Sequence, residues 1–406
     1  MATINVTSTA DSGAGTLRQA ITDLNAQTGS HTITFTGLSG TITLASALPT
    51  LTKSMTITGP GLSSLTVSGN SLYRVFNLNT GLTFSISGLT VSSASVSGVL
   101  GAGILNSGST LTIDSCYFTG CSTTSDGGAI STAGPTTITN TSFVSCSCGI
   151  STANYGSAIR ATNTITIGNC TFSGNSGTPL YAGGTTATVY NCTFSGNTGQ
   201  IGGIEAAGGT MTLLSSTISG NTGNGGIARG VWVPEYAGIN LKNSIISGNT
   251  GSVGANDFNA YNSGCIVSAA TNIIGTISAG LASSAARVIG DPLLSALASN
   301  GGLTQTRAVS AGSVAIGAGT AAATNAAPVN GLDQRGTTRS ATAPTIGAFE
   351  YVVAPVATTV NFPTSPSVGQ TYSFNGTIWI WNGVGWRKRL ILPSQDIFMS
   401  GSYGGL

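Results

Sequence analysis

Charge is scarce in this sequence: 6% of the residues are Asp, Glu, Lys or Arg, where an ordinary domain carries roughly a quarter. The 13 basic and 11 acidic side chains leave a net charge of +2, too weak a field to hold nucleic acid. One histidine, His31, stands just ahead of the first expected strand and reads as a plain polar residue, which leaves no partner for a serine nucleophile. No apolar run reaches about 18 residues, so no membrane insertion is expected. The first residues, MATINVTSTADSGAGTLRQAITDLNAQ, lack the basic and apolar regions of a secretory signal, so synthesis without export is expected. Seven cysteines are an odd number, and most fall at inward positions of the pattern described next. They read as buried thiols in place of disulfides. Cys146 and Cys148 are close, but no second pair has metal spacing, so no metal and no cofactor is expected.

What the chain has instead is a repeat. NCTFSGN occurs at 169–175 and again at 191–197, with degenerate copies at 111–121, 136–146, 211–221 and 239–249 and a fainter one at 84–94. Their anchoring apolar residues, Val91, Phe118, Phe143, Phe172, Phe194, Ile218 and Ile246, are separated by 27, 25, 29, 22, 24 and 28 residues. Within a copy the alternation has period two, with a break at Asn169 where the parity resets, so each copy reads as strand, turn, strand. A second apolar signal lies between copies, as in GGAIS at 127–131 and GSAIR at 156–160. A unit of this length cannot bury its apolar side alone, and stacking copies makes one continuous core. The fold class is therefore all-β, a single-stranded parallel β-helix with rungs about 4.8 Å apart.

Stacking turns sequence columns into structural ones. Phe118, Phe143, Phe172 and Phe194 form an internal aromatic column, and Cys116, Thr141, Cys170, Cys192, Ser216 and Ser244 a column of small inward residues. Asn175, Asn197, Asn221 and Asn249 form a ladder at a turn, each amide bonding the next, with Cys121 and Cys146 in the same place in earlier copies. The Asn-x-Ser/Thr sequences at Asn140, Asn169 and Asn191 belong to this ladder and turn grammar and, without export, are not read as glycosylation sites.

Four segments follow. Residues 1–32 are expected to cap the coil with a short helix, in which Thr16 and Gln19 make a capping box and Leu17, Ala20, Ile21 and Leu24 share one face. Residues 33–351 form the β-helix, with irregular rungs at 33–70 and a weakened repeat that keeps short strands over 265–350. A Pro-rich linker, 352–366, leads to a terminal antiparallel meander, 367–406. There Asn375-Gly376 and Asn382-Gly383 signal two-residue turns, with Tyr372 and Phe374, and Trp379 and Trp381, on single faces.

STADSGAGTLRQAI followed by HTITF, the ITGPG, VSGN and CTFSGN phrases, and NGGLTQTRAVSAGSVAIGAGT with DQRG and IGAFEY resemble bacterial right-handed parallel β-helix surface proteins, themselves similar to polymorphic outer-membrane adhesins and pectate-lyase-like folds. FPTSPSVGQTYSFNGTIWIWNGVGWRKR is similar to a module near the ends of phage tail-fibre and other virion proteins. Together the resemblances imply a virion component: a β-helical tail fibre, spike or capsid decoration that adheres to a host surface and partners other virion proteins. By analogy with such fibres it would be a homotrimer. A depolymerase tailspike and a bacterial surface adhesin are the alternatives.

For the depolymerase, glycoside hydrolysis needs two or three carboxylates on one face. None of the 11 acids pairs with another at equivalent positions of adjacent rungs. Asp126 and Glu205 are expected three rungs apart, roughly 14 Å, and Glu205 with Glu235 is the nearest alternative. The chain therefore reads as non-enzymatic. Its exposed constellation is the residue following each inward Ile or Leu of the second signal, Ser131, Arg160, Tyr181 and Glu205, joined by Arg229, Trp232 and Tyr236 of ARGVWVPEY. Aromatic faces mixed with Arg and Glu suit glycan binding or a contact between protomers. Trp379, Trp381 and Trp386 with the basic run Arg387, Lys388 and Arg389 are candidates for attachment or oligomerisation.

Overall fold

The structure, a computed structural model, describes residues 2–149, 155–184, 186–252, 256–277, 287–353, 362–374 and 377–388. The chain divides into two units, 1–351 and 352–406.

The first unit is a coil of parallel rungs. Among the described residues its strands form an 11-stranded first sheet, an 11-stranded second sheet and a 10-stranded third sheet. A rung runs through them in that order, as in Ile165–Gly168, Thr171–Ser173 and Leu180–Ala182. The parity break in the sequence is a corner of the backbone. Ser115, Asn140, Asn169, Asn191, Ser215 and Asn243 stack between the first and second sheets, all with φ between 46 and 55°. Short polar side chains tolerate that left-handed conformation best. One residue there turns the chain without consuming a strand position, so Ile167 and Cys170 both point inward and both are fully buried. Asn169 donates to Asn140 Oδ1 at 3.4 Å and Asn191 to Asn169 Oδ1 at 3.3 Å. These asparagines make a second ladder, as their place in the repeat implies.

The second corner carries the first ladder. Nδ2 of Asn175, Asn197 and Asn221 each donates at 2.8 Å to Oδ1 of the asparagine one rung on. The same oxygens accept the backbone N–H of the rung before. Cys146 N–H bonds Asn175 Oδ1 at 2.9 Å, and Asn249 ends the row on Asp257 Oδ1 at 2.8 Å. Turn backbone that faces the core is thereby satisfied. Inside, the rings of Phe118, Phe143, Phe172 and Phe194 stack at 5.2, 4.9 and 4.3 Å, each burial contributing roughly 1.5–3 kcal/mol. All seven cysteines are free thiols, and Cys148 alone of them is half-buried; burial pushes Cys116 and Cys148 up to about 12.

The ends differ from expectation. The first strand is Ala2–Asn5, already paired in register with His31–Thr34, so the coil starts inside the segment assigned to the cap. His31 is a strand residue stacked on Met55 and 2% exposed, because the inward column continues through it. The helix Leu17–Asn25 keeps its expected buried face and Thr16 cap, while Gln19 bonds Asp23 where a reciprocal capping box would turn back. Arg18 holds Asp11 at 2.8 Å and reaches Ser46 O and Ala47 O, which ties the opening motif to the next rung.

The second unit is a three-stranded antiparallel sheet, Thr371–Phe374, Thr377–Trp381 and Trp386–Lys388. Its tryptophans close on one another: Trp381 lies 5.8 Å from Trp386, and Phe362 stacks on Trp386 at 4.9 Å and meets Trp379 edge-on at 5.3 Å. Trp381 pairs with Trp386, so the loop is four residues, 382–385, closed by Asn382 N–H on Gly385 O at 3.2 Å. The two-residue turn expected at Asn382-Gly383 is corrected, since the Asn382 side chain accepts from both Val384 and Gly385 and holds the wider loop. Arg387 and Lys388 are exposed. Asn375-Gly376, Arg389 and most of the expected linker lie outside the described residues.

Candidate functional site

The expected short strands persist as far as Val309, and the remainder of 265–350 beyond it is a strap. After the last paired rungs the chain forms one hairpin, Leu294–Ala298 with Thr306–Val309, and then runs back over the outer face of the second sheet. Gln334 enters that face: its Oε1 accepts from Thr193 Oγ1 at 2.6 Å and its Nε2 donates to Thr171 Oγ1 at 2.9 Å and Cys170 O at 3.2 Å. Arg339, 3% exposed, donates to Asn191 Oδ1, Gly347 O and Thr345 O at 2.8–3.0 Å and lies 3.4 Å from Glu350 Oε2. Burial pulls its guanidinium down from the usual value, opposed by Asp333 and Glu350. Gly347, at φ +101°, passes so close that a Cβ would stand 2.8 Å from Ile245 and Thr217. DQRG and IGAFEY are thus docking elements, a role for which the sequence carried no signal beyond the outward threonines they cover.

The third sheet places its outward residues in one row. Ser131, Arg160, Tyr181, Glu205 and Trp232 are successive register partners, flanked by inward residues such as Leu180, Ile204 and Val231 that are fully buried. Trp232 belongs to the strand Thr222–Val233, and the insertion containing it therefore extends the row. Tyr155 adds a ring 4.2 Å from Tyr181. Arg229 lies on the same strand and donates to Ser252 O at 3.1 Å.

The row differs from the exposed one expected. Ser131 is 2% and Glu205 9% exposed, and Arg160, Tyr181, Arg229 and Trp232 are half-buried. Large neighbours one rung away on either side cover the shorter side chains between them. Tyr236 leaves the row altogether. It follows the end of the strand, has φ +68°, is 92% exposed and lines an open hollow of about 460 Å³ with Glu235, Asn262 and Cys265.

Electrostatically the row is uneven. Asp126 sits 3.6 Å from Arg160 Nε and accepts from Tyr155 N–H at 3.2 Å. Glu205 has neither a hydrogen bond nor an ion pair among the described residues, and burial pushes its carboxyl up to about 7. Burial raises Tyr155 and Tyr181 as well, with contributions from both Glu205 and Asp126. The two carboxylates therefore bracket one tyrosine pair. Among the described residues no cluster of three or more His, Cys, Asp or Glu has metal geometry, and no helix is long and apolar enough to cross a membrane.

No curated protein matches the chain. Among solved structures it is similar to ORF18 of Geobacillus virus E2, at 12% identity over 97% of this chain and 86% of that one, with a TM-score of 0.35, a level that carries no weight for function. Residues 131–281 match the family described as right handed beta helix region, a span that includes the row from Ser131 to Trp232. With its rungs paired in parallel through three sheets, the first unit is a parallel β-helix, right-handed by the family match over residues 131–281.

Proposed function

We propose that the chain is a structural protein of a phage particle, a β-helical shaft of a tail fibre, spike or capsid decoration that adheres to host-surface glycan through the outer face of its third sheet. The observation that carries the adhesive part is the row itself. Tyr181 and Trp232, with Tyr155 beside Tyr181, offer aromatic surface to sugars, and Arg160 and Glu205 offer directional hydrogen bonds at rung spacing. A β-helix suits such a task because neighbouring rungs fix the side chains in place and little entropy is lost on binding. The virion part is supported by the resemblance of 362–389 to terminal modules of phage fibres, and by the same analogy the protein acts as a homotrimer beside other virion proteins.

This reading is one of binding without turnover, since Asp126 is engaged by Arg160 and Glu205 has no second carboxylate as its rung neighbour. The test is retention of the purified full chain on host envelope polysaccharide, with reducing ends assayed in the same samples. Retention that falls tenfold or more in Tyr181→Ala and Trp232→Ala, with no sugar released, is the expected result. Release of sugar ends by the wild type, lost in Glu205→Ala, would replace this reading with a depolymerase. Attachment is assigned to the terminal module, so a virus whose copy stops before residue 354 should lose the protein from its particles.

A further inference from the structure

The feature that glycan adhesion leaves unexplained is the carboxyl of Glu205. Stacking and hydrogen bonding would be served by Gln or Ser at this position. Instead an acid is 9% exposed with no internal partner among the described residues, an arrangement that burial makes costly. The cations of the same face do not pair with Glu205: Arg160 lies 3.6 Å from Asp126 and Arg229 donates to Ser252 O at 3.1 Å, the Nε of each having no hydrogen-bond partner. The register neighbours of Glu205 are aromatic on both sides, Tyr181 on the rung before and Trp232 on the rung after, each about 4.8 Å away along the sheet. Tyr155 backs Tyr181 at 4.2 Å. Rings present negative faces, and a carboxylate set among them is the complement of a cation.

We infer that Glu205, Tyr181 and Trp232, with Tyr155 behind them, form a seat for a positively charged ammonium group borne on the host-surface polymer, either a quaternary ammonium or the free amine of an amino sugar. This inference rests on the adhesive reading of the same face. It supplies from outside the counter-charge that the fold withholds. An anionic group would meet Glu205 and Asp126 together, whereas an ammonium would neutralise Glu205 beside the rings of its two register neighbours.

Protonation follows from the geometry. The titratable and charged groups sharing the face are Asp126, Tyr155, Arg160, Tyr181 and Arg229. With the Glu205 carboxyl at about 7 in the free protein, a cation must displace its proton at lower pH. Affinity for a permanent cation should therefore fall by about tenfold for each pH unit below 7 and level off above it.

The experiment uses the full chain with four probes: choline, its neutral carbon isostere, glucosamine and N-acetylglucosamine. Binding is followed by titration calorimetry at pH 7, where the glucosamine amine is still mostly protonated and Glu205 is about half ionised, and again at pH 5.5. The expected result is that at least one charged probe binds tenfold or more tighter than its neutral counterpart, and that choline, if it is the one, weakens at pH 5.5. Preference for choline assigns a quaternary ammonium, and preference for glucosamine an amino sugar. Glu205→Gln should lose that preference while melting no lower than the wild type, and Trp232→Leu should weaken both members of the preferred pair. Equal binding of charged and neutral probes, no binding of any probe, or an unchanged preference in Glu205→Gln would overturn the seat. Adhesion to host cells is measured beside it. Wild-type adhesion that Glu205→Gln leaves intact removes the seat and keeps the adhesive reading, whereas a wild type that does not adhere removes that reading itself.

Discussion

On the second sheet the outward positions of successive rungs are Thr171, Thr193, Thr217 and Ile245, each at most 1% exposed because the strap lies over them. On the third sheet the same rungs turn outward Tyr181, Glu205 and Trp232, and among the described residues nothing satisfies the Glu205 carboxyl. The difference shows what allows a β-helix face to be closed. Hydroxyls carry one donor and few acceptor sites, so the strap can meet them with Gln334, backbone carbonyls and the Ala348 N–H. The three strap charges that go under, Asp333, Arg339 and Glu350, arrive with their partners already in place. A lone carboxylate between aromatic rings offers a cover no such exchange, so the third face is the one left to an external partner.

The comparison breaks most sharply at Arg339. Arg339→Ala removes the bonds to Asn191, Thr345 and Gly347 and leaves Glu350, 4% exposed, without its cation. Urea unfolding should show a loss of about 3–5 kcal/mol. If the strap were an incidental wrapping, the loss would stay below about 1 kcal/mol.

On the open face the sign reverses. The Glu205 carboxyl is raised from 4.5 to about 7 in the folded chain, so the unfolded chain gives up this proton first. Stability is then fully present below pH 4.5, declines as pH rises towards 7 and stays lower above it. The total is on the order of 3 kcal/mol. Glu205→Gln should remove that decline and be the more stable chain at pH 8, which denaturant titrations at pH 4.5, 6 and 8 would read. A wild-type profile that is flat, or parallel to that of the variant, would mean that the carboxyl is not desolvated.

The smallest effect sharpens the contrast. Tyr181→Phe removes a hydroxyl from the open face and should change the melting midpoint by an amount corresponding to no more than about 0.5 kcal/mol. Thr193→Val removes one from the closed face and strands Gln334 Oε1, which should cost about 1–3 kcal/mol. Equal effects from the two would dissolve the distinction between the faces.

Much of the row was legible because it follows the register of the rungs: Arg160, Tyr181 and Glu205 each succeed an inward Ile or Leu in the sequence, and they align as read. Burial was not legible, since the exposure of Glu205 depends on the size of residues one rung away. Trp232 was placed near the row without its register, because a bulge in its strand between Ala228 and Val231 shifts the pairing. Tyr236 lies off the row for a different reason: the strand ends at Val233, and the left-handed backbone of Tyr236 itself turns its ring away.

By itself the sequence determined the coil, its corners, its ladders and its aromatic column. Each of those contacts joins positions one repeat apart, so the repeat length and the residue type at each phase are sufficient to specify them. Only the tertiary structure decided which face is covered and which stays open. The contacts that decide it join residues as distant as Gln334 and Thr171, 163 positions apart, and no periodicity relates a strap to the rungs it covers.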